Sequence, residues 1–137
     1  MARLSLFFLA GFLAVICFHQ PLLGLLHSYE VVPFAPFNRA PTWPLGLPAW
    51  LSAAFWGGLW GTLMLALLGW RSDQPQPWLK ALLFGGIALT TVALALVFPL
   101  KGLGFDLRQL PGRFFIGFLL NGAWGLGTPV FARSLLR

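Results

Sequence analysis

The chain has 137 residues, of which 58% are apolar and only 9% charged, and its mean hydropathy is +0.82. A soluble domain carries about 25% charged residues, and a chain this short leaves most of its surface exposed, so water is excluded as the main solvent. The net charge of +6 comes from nine Lys and Arg placed singly along the chain. With no basic stripe or recognition motif, nucleic acid is excluded as a partner, and anchoring against anionic lipid is the expected use of these charges.

A helix crosses the hydrocarbon core with about 20 apolar residues. The first expected span runs from residue 4 to 27. Arg3 and the apolar run ending at Cys17 have the outline of a lipoprotein signal. Ile16 is bulky where cleavage needs a small residue, so a retained helix is expected. Cys17 is the lone cysteine, which excludes an internal disulfide and a cysteine-based zinc site. His19, Gln20 and His27 interrupt the apolar run. Gln20 and His27 share a helical face with Gly24 between them, while His19 points about 100° away from Gln20. Pro21 removes the donor that would serve the Cys17 carbonyl, loosening the helix there. Polar groups inside a span are candidates for proton or ligand handling, with hydrogen-bonded glue between helices as the plainer role.

Residues 29–47 carry Pro33, Pro36, Pro41 and Pro44 with Phe34, Phe37 and Trp43. The prolines forbid a regular helix and the aromatics resist a freely solvated loop, so a packed cap over the outer end is expected. The second span, about 48–70, holds Gly57, Gly58 and Gly61, small residues that let helices approach closely. Trp60 lies at mid-depth, where an indole N–H needs a buried acceptor or forms a pocket wall. After a polar turn at 71–77 comes the third span, 78–100. The fourth, about 112–136, places Gly117, Asn121, Gly125 and Thr128 on one face, with Gly122 and a second mid-depth indole, Trp124. Asn121 is the natural hydrogen-bond partner for the His19, Gln20 and His27 cluster. Four such spans in one transmembrane domain, 1–137, make the expected fold an all-α integral membrane four-helix bundle.

Two phrases echo along the chain. Gly58-Leu59-Trp60-Gly61 returns 64 positions on as Gly122-Ala123-Trp124-Gly125, and Pro21-Leu22-Leu23-Gly24 returns 78 positions on as Pro99-Leu100-Lys101-Gly102. The difference between the offsets suits a longer first connection, and points to two tandem related hairpins. Charge favours both termini on the cytoplasmic side: Arg3, Arg71, Lys80, Arg133 and Arg137 against Arg39, Lys101, Arg108 and Arg113.

The three carboxylates, Glu30, Asp73 and Asp106, all fall in connections. Proton-coupled small multidrug exporters have four helices and a similar length but need an acid inside the membrane, so that likeness fails at its mechanistic residue. No nucleophile–base pair, phosphate loop or metal motif is present, and neither a catalytic residue, a metal nor a cofactor is expected. The Phe18-His19-Gln20 phrase, the proline-rich connection, Phe55-Trp56-Gly57-Gly58-Leu59-Trp60-Gly61 and Asn121-Gly122-Ala123-Trp124-Gly125-Leu126-Gly127 together resemble a group of small, uncharacterised proteobacterial inner-membrane proteins. The resemblance spans nearly the whole chain and implies a multi-pass inner-membrane protein without supplying an activity. The leading expectation is a non-catalytic subunit in the bilayer, joined to a second copy or another membrane protein through its glycine faces. A minimal transporter or channel using His19, Gln20 and Asn121 is the alternative, and a haem- or quinone-associated subunit the third reading.

Overall fold

The computed structural model describes residues 1–71, 73–104 and 106–136. It contains four helices long and apolar enough to cross a membrane: α1 (Ala2–Ser28), α2 (Ala49–Leu67), α3 (Trp78–Leu100) and α4 (Leu110–Leu135). The protein is an all-α four-helix bundle of the multi-pass membrane type. Only about a third of the most apolar stretch of each helix is buried by the rest of the chain. The remainder presents residues such as Leu63, Leu67, Ile87, Leu96 and Phe115 outward, as a lipid-facing surface requires.

Proline and glycine set the helix ends. Pro48 and Pro77 immediately precede α2 and α3, and Pro111 lies in the first turn of α4, where a missing N–H costs nothing. Gly69 and Gly102 take positive φ after α2 and α3. In each case the next residue's N–H reaches back to a carbonyl in the last turn, Trp70 to Leu65 and Leu103 to Phe98. In the turn after α2, Arg71 and Asp73 form an exposed ion pair at 3.0 Å. The hydrogen bond from Arg71, helped by its charge, holds the Asp73 carboxyl below the usual carboxylate range. Trp70 is buried beneath this turn.

Glycine fixes the helix crossings. A methyl placed on Gly11 would strike the Gly57 carbonyl oxygen and lie 2.9 Å from the Gly61 Cα, so α1 and α2 meet backbone to backbone. The second hairpin repeats the arrangement: a methyl on Gly85 would strike the Asn121 carbonyl oxygen and lie 3.0 Å from the Gly125 Cα. The partners correspond at 74 positions between α1 and α3 and at 64 between α2 and α4. Beside them Gly58 receives the Phe8 ring and Gly122 receives Leu82, at the same two offsets. The seam therefore aligns α1 with α3 at 74 positions, not the 78 that separate Pro21 from Pro99. In the second hairpin the proline stands about one helical turn further along.

Helix α1 packs on both α2 and α4, and α4 on both α1 and α3. Helices α2 and α3 meet through side chains, with the Trp60 and Phe84 rings 6.4 Å apart. One face of the bundle carries both termini and the 68–77 turn, and the other carries the 29–48 and 101–109 connections. There a two-residue ladder, β1 (Pro41–Thr42) against β2 (Leu47–Pro48), closes a hairpin whose tip exposes Trp43.

Candidate functional site

A cavity of about 170 Å³ lies where the four helices converge. Helix α1 contributes Val15 and His19, α2 Trp56, Gly57 and Trp60, and α4 Asn121 and Trp124. Leu89, Ala93 and Val97 close it from α3. The sequence-predicted His19, Asn121, Trp60 and Trp124 thus share one wall system.

Local backbone geometry brings these residues together. Helix α1 widens into a π-helical stretch at Val15–His19, and α3 does so at Phe84–Leu89 and Ala93–Val97. Val15 and His19 are the first and last residues of the α1 stretch, and Ala93 and Val97 those of the second α3 stretch. In both, the residue before a proline donates five positions back, Gln20 to the Val15 carbonyl and Phe98 to the Ala93 carbonyl. Pro21 and Pro99 cannot donate at all, so the ladder re-registers just ahead of each. Such π-turns are common at functional sites. Here they line the cavity from both hairpins.

The polar groups divide sharply. The Trp124 Nε1–H donates to the Gly11 carbonyl at 3.0 Å, tying α4 to the α1–α2 seam, and Trp124 is fully buried. Trp60, the matching indole of the first hairpin, makes no such bond among the described residues and rests edge-on against Phe84 at the cavity wall. The Asn121 Nδ2–H donates to Thr90 Oγ1 at 3.0 Å. The His19 Nδ1 is buried with no hydrogen-bond partner. A buried polar atom without a partner carries a desolvation cost of roughly 1–3 kcal/mol, which marks the imidazole as the unsatisfied group of this wall.

Gln20 and His27 do not belong with them. Gln20 is buried and its Oε1 accepts the Phe37 backbone N–H at 2.8 Å. The His27 Nδ1 lies 3.1 Å from the Val32 carbonyl. Gly24, between them on the same face, accommodates Pro36, whose Cγ would lie 3.1 Å from an added Cβ. The shared face read from the sequence is real, and residues 32–37 cover it. Asn121 bonds neither of them.

The packing glycines face inward. Gly57, Gly58 and Gly61 are closed by α1, Gly122 and Gly125 by α3, and Gly117 by Thr90 of α3. Every glycine expected at a helix–helix seam, within the chain or between copies, is thereby occupied within the chain. Sequence reasoning missed Trp56, Thr90 and the π-helical stretches. For Val15–His19 and Ala93–Val97 the signal was a proline two positions beyond each, Pro21 and Pro99, at the 78-residue offset that also separates the two stretches; Phe84–Leu89 has no such proline. Among the described residues no group of three or more His, Cys, Asp or Glu is placed to hold a metal.

Neither a family model, nor a curated protein, nor a solved structure matches the chain.

Proposed function

We propose that the protein is a non-catalytic subunit of the bacterial inner membrane that holds a small lipophilic molecule between its two hairpins. The observation that carries this reading is the cavity walled by indoles, with His19 in its lining and the His19 Nδ1 buried without a partner. Its volume is close to the ~150 Å³ apolar cavity known to accept a benzene ring. The class of ligand is therefore a single planar ring bearing one hydrogen-bonding group. Matched seams at constant offsets support descent of the two hairpins from one duplicated unit. The charge balance between the faces supports placing both termini in the cytoplasm.

The transporter reading is weakened because Gln20 is committed to Phe37, and pairing of the two histidines because His27 is committed to the Val32 carbonyl. With the glycines occupied, contact with a second copy or another membrane protein falls on the lipid-facing sides of the helices.

Titration of the detergent-solubilised protein with 4-ethylphenol, followed by tryptophan fluorescence, tests the reading. Saturable quenching is expected. His19→Ala should weaken it about two- to tenfold, the worth of one hydrogen bond. Ala93→Phe, which fills the wall, should abolish it while the helices remain folded by circular dichroism. Quenching that never saturates, or that Ala93→Phe leaves intact, overturns the proposal.

A further inference from the structure

A second concavity lies outside the bundle, between the ends of α3 and α4 on the face of the 29–48 and 101–109 connections. It is a groove of about 670 Å³ whose walls include Leu94, Ala95, Leu110, Phe114, Phe115 and Phe118. The seam offsets show what fills the corresponding place in the first hairpin. Leu94 lies 74 positions after Gln20, and Phe114 lies 64 positions after Trp50. Gln20 and Trp50 are the two residues that hold Phe37, the first through its backbone N–H and the second edge-to-face at 6.1 Å between ring centroids. In the first hairpin the chain covers its own groove with residues 36 and 37. The second connection, 101–109, is too short to do the same.

The two grooves differ in one chemical respect. The first offers Gln20 to a peptide N–H, whereas the second has Leu94 at that place, and only Thr91 among its lining residues is polar. An inserted peptide would leave its backbone donors unsatisfied there, and a hydrocarbon chain has none to satisfy. At the same end of the bundle, in the 101–109 connection and the first turn of α4, stand Lys101, Arg108 and Arg113 with a single acid, Asp106. Arg113 lies over the Phe98 ring at 6.0 Å and reaches the Gly104 carbonyl and the Gln109 side chain. Among the described residues none of these three cations is ion-paired.

We propose that this groove binds an anionic phospholipid, with an acyl chain along Ala95, Phe114 and Phe118 and the phosphate against Arg108 and Arg113. Cations at a membrane surface each contribute enough attraction to anionic lipid to change binding about fivefold. The test is native mass spectrometry of the delipidated full chain in mixed micelles, with phosphatidylglycerol competing against phosphatidylcholine of the same acyl chains. Wild type should retain about one phosphatidylglycerol per chain in preference to phosphatidylcholine. Arg108→Gln with Arg113→Gln should remove that preference, while Arg3→Gln with Arg133→Gln, on the opposite face, leaves it intact. Ala95→Trp should displace both lipids. Equal retention of the two lipids by wild type overturns the proposal. So does a preference that survives the Arg108 and Arg113 changes, or a dimer that Ala95→Trp dissolves, which would assign the groove to a second copy.

Discussion

At the scale of single residues, the chain separates glycines that no side chain can replace from glycines that serve no contact. Gly11 and Gly85 occupy equivalent points where one helix backbone rests on another, and an added methyl would meet a carbonyl oxygen in each. Gly112 lies within α4 with nothing within 4 Å of an added Cβ. Gly11→Ala and Gly85→Ala should each destabilise the protein by about 1–3 kcal/mol through overpacking. Gly112→Ala should instead stabilise it by up to ~1 kcal/mol through helix propensity. Reversible unfolding in mixed detergent micelles reads all three, and matching losses at Gly11 and Gly85 would show that both seams work alike. The indoles differ in the same residue-specific way. Trp124→Phe should cost about 1 kcal/mol because the Gly11 carbonyl loses a donor from another helix, and Trp60→Phe should cost less.

Among the elements, the proline-rich connection is a cover secured at several points. Gln20 accepts from Phe37, the Trp50 N–H donates to the Asn38 carbonyl, and the Ala49 N–H donates to the Ala40 carbonyl. Of these only Gln20 uses a side chain. Gln20→Ala should therefore loosen residues 33–40 without unwinding α1, seen as faster amide exchange at Phe37 and its neighbours against unchanged exchange in α2 and α4. The four helices themselves were legible in the residues, because lipid demands long apolar runs and the prolines and glycines punctuate them. The polar cluster was only partly legible. Helical spacing put Gln20, Gly24 and His27 on one face and His19 on another, but spacing carries no information about what each face meets. The folded connection claims one face and the cavity the other. Of the π-helical stretches, only the two that precede Pro21 and Pro99 left a mark in the sequence, because a one-residue widening elsewhere changes nothing in an already apolar run.

For the molecule as a whole, two hairpins share one plan and yet join on one side only. The first and last helices pack along their length, while the second and third meet through side chains with the cavity between them. Sequence offsets foreshadowed the common plan, whereas the lopsided join depends on which helices approach in space. The tie from Trp124 to Gly11 spans most of the chain, and it bypasses the 68–77 turn altogether. That turn is the covalent link between the hairpins, but the Trp124–Gly11 bond and the α1–α4 packing are where they adhere. A chain cut at the turn should accordingly behave like a lock and its key: two separately synthesised halves, each a self-inserting hairpin, that find one another in the bilayer without the ten residues nature uses to keep them in the same molecule.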